Sequence, residues 1–293
     1  MQPANGPFQR HRVDSPGGAF AIDYWPNPGA GCILFYPGTM LCPRQYAVII
    51  KALRDAGLAV AAIHFTGHGA MPHRRRFTFE GLLANCLAAE AWLRKKGHEA
   101  IAACGHSQGG ILTLAHGAAS KNLTAIFPMS GVLPQRPELL ALTRLDFLAE
   151  KRANVETWCR GLAKWLPRFP LPVWGYLSLK RLFQGMRKDC IVPRGGGRWW
   201  YGAGYLTTLL TATIAPRMHC PVHLFNAADD GLFTPEVIQG TFQALEAPFK
   251  RLVWLPGGGH LAIFSPGIAT VVARTVAAAC ADLGMPLRIE ASR

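Results

Sequence analysis

Serine 107 lies in the pentapeptide Gly105-His106-Ser107-Gln108-Gly109, which fits the pattern Gly-x-Ser-x-Gly. An apolar run typical of a buried strand precedes the pentapeptide, and an apolar helical pattern follows it. A serine hydroxyl that attacks a substrate must project from a sharp turn, where side chains two residues away on either side would collide. The two glycines and the strand–turn–helix context therefore predict that Ser107 is a nucleophile.

A nucleophilic serine needs a general base and an acid that orients the base, and both are expected downstream of it. Asp229 and Asp230 follow one predicted strand, and His260 follows the next predicted strand after three glycines. We expect His260 to accept the Ser107 proton and to return it to the leaving group. Asp230 is the favoured orienting acid, whereas Asp229 is left to cap its loop or to pair with an arginine.

Acyl transfer also needs backbone donors for the oxyanion that forms on the substrate. One predicted donor is the N–H of Gln108, which directly follows the nucleophile. The other should come from the loop after an early strand, where Gly38 permits close approach of the backbone. We assign this second donor to the N–H of Thr39, with Met40 as the alternative.

The elements that must position these residues alternate along the chain. Apolar runs bounded by turn residues predict strands at Ala19–Tyr24, Cys32–Tyr36, Leu58–His64, Ala100–Cys104, Thr124–Met129, Pro221–Asn226 and Lys250–Leu255. Helical spacing and end signals predict helices at Pro43–Ala56, Phe79–Lys96, Ser107–Ala119 and Ile268–Leu283. This alternation indicates an α/β fold with a mostly parallel central sheet flanked by helices.

Residues 132–218 interrupt the alternation, since their helical patterns have no strands between them. We therefore predict a core formed by residues 1–131 and 219–293, with 132–218 as a helical cap insertion. This insertion holds five of the eight tryptophans and 14 basic against 5 acidic residues, which is most of the net charge of +14. Such a basic protein attracts anions, so an anionic substrate or an anionic membrane surface is a candidate partner. Nucleic acid is not expected, because no recognised reader motif is present.

Composition sets further limits on this chain of 293 residues. Half of the residues are hydrophobic and 16% are charged, which permits a large core and excludes disorder for most of the chain. The sequence has no apolar run of about 18 residues and no signal-like N-terminus, so we expect a cytoplasmic protein. The eight cysteines have no metal-ligand spacing, which predicts reduced, mostly buried thiols. No cofactor or metal is expected, since no phosphate loop, dinucleotide fingerprint or metal cluster is present.

Taken together, these motifs resemble the α/β-hydrolase superfamily, and within it the serine aminopeptidase (S33-type) and monoacylglycerol lipase–lysophospholipase group. The matching segments are Tyr36-Pro37-Gly38-Thr39, Phe65-Thr66-Gly67-His68-Gly69, Gly105–Gly110, Asp229-Asp230 and Gly259-His260. The resemblance implies an α/β-hydrolase fold, a Ser-Asp-His triad and a cap over the substrate pocket where residues 132–218 lie.

The resemblance and the residues together predict a serine hydrolase that cleaves an ester of a hydrophobic, lipid-like acyl group through an acyl-enzyme. The alternatives are a thioesterase or acyltransferase on coenzyme A- or carrier-bound acyl groups, an aminopeptidase, or, less favoured, a non-catalytic binding protein. We expect Met40, Trp174 and Trp199 to contact the substrate, because an acyl chain needs an apolar pocket.

Overall fold

The fold is described from a computed structural model of the protein. This structure describes residues 8–39, 41–68, 71, 77–136, 138–141, 151–166, 169–172, 178–190, 192, 200–202 and 212–289. The three predicted substrate contacts, Met40, Trp174 and Trp199, lie outside the described residues.

An eight-stranded sheet forms the centre of the molecule. Its strands are β1 Gln9–Val13, β2 Phe20–Trp25, β3 Cys32–Tyr36, β4 Ala59–His64, β5 Ile101–His106, β6 Ile126–Met129, β9 Val222–Ala227 and β10 Lys250–Leu255. The spatial order is β1-β2-β4-β3-β5-β6-β9-β10. The β1–β2 and β2–β4 pairs are antiparallel and the remaining pairs are parallel. The predicted α/β class with a mostly parallel sheet is confirmed.

Helices cover both faces of this sheet. They are α1 Ala47–Asp55, α2 Phe79–Lys95, α3 Gln108–Ala119, α7 Pro235–Ala244 and α8 Pro266–Asp282. Successive side chains of β3 point to opposite faces, so Ile33 and Phe35 pack with α1 and α8, whereas Leu34 packs with α2 and α3. All five residues of β3 are buried, which explains why this strand is a continuous apolar run in the sequence.

Two parts of the core differ from the sequence prediction. The predicted helix Pro43–Ala56 is a 3-10 helix, Pro43–Tyr46, followed by α1. Strand β1 was not predicted, because it is largely exposed and its polar side chains give no apolar pattern. It pairs along its whole length with β2 at the edge of the sheet.

Residues 132–218 contain helices and also a small sheet. The described elements are α4 Glu138–Ala141, α5 Arg152–Trp165, β7 Pro170–Pro172, α6 Leu179–Phe183 and β8 Trp200–Gly202. Strands β7 and β8 form an antiparallel pair, so the expectation of no strands in this segment is wrong. Strands of three residues, one of them with two prolines, are too short to show an alternating pattern. The division into core and cap stays a prediction.

Two further predictions concern the cysteines and the lengths of the helices. All eight cysteines are buried and none forms a disulfide, as predicted. Within the described ranges, no helix combines the length and the apolar character that crossing a bilayer requires.

Candidate active site

The predicted site residues converge because of the sheet topology. Ser107 follows β5 directly, Asp230 lies just after β9, and His260 lies a few residues after β10. Thr39 lies in the loop after β3. These strands are parallel, so their carboxyl ends share one edge of the sheet, and this is the edge where open α/β sheets bind ligands.

Ser107 occupies a strained turn between β5 and α3. Its φ is 58° and its ψ is −119°, a conformation that a residue with a side chain rarely adopts. A Cβ atom at Gly105 would overlap the carbonyl group of Gly109, and one at Gly109 would overlap the carbonyl of Tyr36. Both glycines are therefore required by the close approach of neighbouring backbone.

His260 is hydrogen-bonded to both of its predicted partners. Its Nε2 lies 2.9 Å from the Oγ of Ser107, and its Nδ1 lies 2.9 Å from Oδ2 of Asp230. An ionised carboxylate only accepts hydrogen bonds, so Nδ1–H donates to Asp230 and leaves Nε2 to accept from the serine hydroxyl. This geometry lets the imidazole take the Ser107 proton while its cationic form is stabilised by Asp230.

Asp230 is almost completely buried and accepts hydrogen bonds with both oxygens. Oδ1 accepts from the N–H groups of Leu232 and Phe233, at 2.8 and 2.9 Å. Burial by itself would raise the pKa of this carboxyl, but the charge and hydrogen bond of His260, together with the two backbone donors, lower the pKa below its ordinary value. Asp230 is therefore ionised when His260 must be oriented.

Ser130 is a contact of Asp230 that the sequence did not reveal. Its Oγ donates to Oδ2 of Asp230 at 3.2 Å, and its own φ is 46°. Ser130 lies directly after β6, between the strands that carry Ser107 and Asp230. A lone serine after a strand carries no signal for this contact, which depends on the neighbouring position of β6 and β9.

Asp229 has a different role from its neighbour. Its carboxylate accepts from the N–H groups of Gly258 and Gly259, at 3.2 and 2.9 Å. Both glycines have positive φ, as does Gly257, so the loop before His260 follows a path that only glycine adopts readily. Asp229 thus caps the loop of residues 256–259 that precedes His260, here called the histidine loop, rather than its own loop.

The loop after β3 is tied to the start of α3. The Thr39 hydroxyl donates to Oε1 of Gln108 at 2.8 Å. The neighbouring N–H of Gly38 donates to the Tyr46 hydroxyl at 2.9 Å and is thereby engaged away from a substrate. The bond between Thr39 and Gln108 keeps the two residues of the predicted oxyanion site side by side.

Residues just after α6 reach the histidine loop. A Cβ at Gly259 would overlap the carbonyl of Gln184, and a Cβ at Gly231 would overlap the Gln184 side chain. Gln184 follows α6, and α6 itself packs against the short 3-10 helix Gly259–Phe264 that carries His260. The segment around α6 therefore borders both loops that supply Asp230 and His260.

The buried histidines His64 and His116 do not belong to this site. His64 pairs with Asp23 at 2.8 Å, and His116 pairs with Glu90 at 2.8 Å, both within the packed interior. Across the described part of the chain, no group of three or more His, Cys, Asp or Glu side chains is arranged to hold a metal ion.

The site and the strand order together define an α/β-hydrolase architecture. The model of the Alpha/beta hydrolase family matches residues 29–273, and the chain belongs to that family. A search of curated proteins found no match to the sequence.

Solved structures with similar folds include lipases and esterases. A monoacylglycerol lipase from Paleococcus ferrophilus has 16% identity and a TM-score of 0.66, over 95% of this chain and all of its own. A soluble variant of monoglyceride lipase from Saccharomyces cerevisiae, in complex with a substrate analogue, has 15% identity and a TM-score of 0.71, over 97% of both chains. A thermophilic esterase from Thermogutta terrifontis has 15% identity and a TM-score of 0.63, over 94% of this chain and 99% of its own. At these identities the likeness establishes the fold.

Proposed function

We propose that this protein is a serine hydrolase that cleaves an ester of a hydrophobic, lipid-like acyl group through an acyl-enzyme. The observation that supports it most is the continuous hydrogen-bonded chain from Ser107 through His260 to Asp230, with both links at 2.9 Å. The lipase and esterase names of the similar structures favour the same bond type.

In the proposed mechanism, Ser107 attacks the substrate carbonyl while His260 takes the hydroxyl proton. The N–H groups of Thr39 and Gln108 stabilise the oxyanion, and His260 then protonates the departing alkoxide. A water molecule attacks the acyl-enzyme in the second half of the reaction, again with His260 as base. Collapse of the second intermediate releases the acid and returns the proton to Ser107, so no cofactor is needed.

Apolar side chains in the insertion support a lipid-like acyl group. Among the described residues of this segment, Trp158, Trp165, Phe183 and Met186 are exposed. Phe183 directly precedes Gln184, which borders the histidine loop, and Met186 follows two residues later. Met40, Trp174 and Trp199 remain our proposed substrate contacts.

Hydrolysis of coenzyme A thioesters is a second candidate, and a specific charge pattern favours it. Lys180, Arg181, Arg187 and Lys188 all lie in residues 178–190, beside the histidine loop. Lys180, Arg187 and Lys188 are exposed to solvent. A basic strip beside the site suits the phosphates of coenzyme A, or another anionic substrate or membrane surface.

Labelling with a fluorophosphonate probe tests the nucleophile. We expect the probe to label the wild-type protein, and we expect Ser107→Ala to abolish labelling. Ser120→Ala is the matched control, because Ser120 is a buried serine at the opposite end of α3. Labelling of Ser107→Ala at the wild-type rate would contradict the assignment.

A substrate panel distinguishes the two candidate functions. We expect p-nitrophenyl esters to be cleaved with a higher kcat/KM than the matching acyl-coenzyme A thioesters. If coenzyme A is the true carrier, K180A/R181A will raise the KM for the thioester alone, and added salt will do the same. The control R251A/R274A removes the same charge from two exposed positions on β10 and α8.

A further inference from the structure

A second hydrogen-bonded chain runs through the site and meets the Ser107–His260–Asp230 chain only at the backbone of His260. The N–H of Gly38 donates to the hydroxyl of Tyr46 at 2.9 Å. The Tyr46 hydroxyl lies 2.8 Å from Nδ1 of His106, and Nε2 of His106 lies 2.8 Å from the backbone carbonyl of His260. Four groups from three distant parts of the sequence are thus connected in one line.

The direction of every hydrogen bond in this chain is determined. A carbonyl oxygen only accepts, so Nε2 of His106 carries the proton and donates to His260. Burial lowers the pKa of His106 to about 3, so its ring is neutral near pH 7 and Nδ1 is an acceptor. Tyr46 must therefore donate its O–H to His106 and accept the N–H of Gly38.

Close packing around Tyr46 and His106 holds this hydrogen-bonded chain in a single conformation. Tyr46 is fully buried and His106 is almost fully buried. The ring of Phe264 lies 4.9 Å from the Tyr46 ring and 5.8 Å from the His106 ring, between centroids. A Cβ at Gly38 would come within 2.9 Å of the Tyr46 hydroxyl and 3.3 Å of the Ser107 Cβ. The interior is closely packed here, so the rings cannot shift without moving the loops they touch.

Each end of the chain is adjacent to a group of the proposed reaction. One end is Gly38, which directly precedes Thr39, our proposed oxyanion donor, and the other end is the main chain of His260. His106, an inner link, directly precedes Ser107. We propose that Tyr46 and His106 are positioning residues that hold the loop after β3 and His260 in the correct positions relative to Ser107. This inference rests on the proposed function, since it concerns the same reaction.

The expected effect falls on the chemical step. Misplacement of a catalytic group by about 1 Å can cost on the order of 100-fold in rate, even where substrate binding is unchanged. Because neither residue belongs to the proposed substrate contacts, loss of the chain should lower kcat about 10- to 100-fold and change KM less than about threefold.

Two conservative variants remove the chain at different links. Tyr46→Phe removes the acceptor of Gly38 and the donor to His106. His106→Asn retains an acceptor near Nδ1 and loses the donor to His260. Tyr24→Phe is the control, since Tyr24 is also buried and its hydroxyl also lies 2.8 Å from a histidine nitrogen, that of His98.

The test measures the rate of fluorophosphonate reaction with Ser107, then kcat and KM for a p-nitrophenyl ester, below the Tm of every variant. We expect Tyr46→Phe and His106→Asn to slow both reactions at least tenfold at nearly constant KM, and Tyr24→Phe to match wild type. Wild-type rates in Tyr46→Phe and His106→Asn would overturn the inference, because the chain would then serve stability alone. Failure of the wild-type protein to react would instead contradict the proposed function.

A double-mutant cycle distinguishes one chain from two separate contacts. If Tyr46 and His106 act as a unit, the variant Y46F/H106N will lose little more kcat than the worse single variant. Losses that multiply, with no coupling between the two positions, would show that the residues do not act through each other.

Discussion

At the scale of single residues, the two adjacent aspartates have different surroundings and therefore different expected effects. Asp230 accepts from His260 and from the backbone of the following turn. Asp229 accepts from the backbone of Gly258 and Gly259. The first carboxylate faces the imidazole, whereas the second fixes the loop that carries it.

We predict that Asp230→Asn lowers kcat about 10³- to 10⁴-fold, because an amide does not stabilise the imidazolium and favours the wrong tautomer. Asp229→Asn should cost only about tenfold or less, since its remaining amide oxygen still accepts one of the two glycine N–H groups. Steady-state kinetics of both variants on a p-nitrophenyl ester provide the measurement. A larger loss for Asp229→Asn would reverse the assignment.

The sequence predicts the catalytic residues that lie in a recognisable local motif. Ser107 and His260 each lie beside glycines just after a strand, and the fold brings them within hydrogen-bonding distance. Ser130 and Tyr46 carry no such mark. Their contacts with Asp230 and His106 span about 100 and 60 positions and exist only once the strands are in order.

At the scale of elements, the backbone at the start of α3 packs closely against the end of β3. A Cβ at Gly109 would overlap the backbone carbonyl of Tyr36, which is held in place by the pairing of β3 with β5. Gly161 in α5 is the opposite case, since a Cβ added there meets nothing within 4 Å.

We predict that Gly109→Ala costs about 3 kcal/mol or more in the free energy of unfolding, or prevents folding, because the clash is with backbone. Gly161→Ala should instead stabilise the protein by about 0.5–1 kcal/mol, since alanine restricts the unfolded chain and favours a helix. Urea denaturation checks both values. Equal effects of the two substitutions would contradict this account of the helix–strand junction.

The elements were predictable where their sequences carry an apolar run bounded by turn residues. Strands β3 and β10 match their predicted bounds, β4 begins one residue later than predicted, and β9 is shifted by one residue at both ends. Strand β1 was missed because one exposed edge strand shows no apolar pattern, and the β7–β8 pair because each strand has three residues.

At the scale of the whole molecule, buried histidines make the folded state sensitive to acid. Burial lowers the pKa of His68 to about 4 and that of His106 to about 3. The unfolded chain binds these protons near pH 6.5, so it holds more protons than the folded state below that pH. Their contribution to stability is complete above about pH 6.5 and is lost as the pH falls towards the folded pKa values.

We predict that the free energy of unfolding decreases as the pH is lowered from about 6.5 to about 4.5, by about 1 kcal/mol per pH unit for each of these histidines. His106→Asn removes one titrating group and should make the slope shallower by that amount. Urea titrations across this range measure the slope. An unchanged slope in His106→Asn would show that His106 is not held neutral in the fold.

Trapping of the covalent intermediate tests the central claim most directly. A p-nitrophenyl ester is mixed with the enzyme, and the reaction is quenched in acid during the first turnover. The protein is then digested and its peptides are measured by mass spectrometry. We predict that the peptide containing Ser107 gains the mass of the acyl group and that Ser107→Ala shows no such gain. Turnover with the acyl group on another residue, or with no acylated peptide at any quench time, would contradict the account.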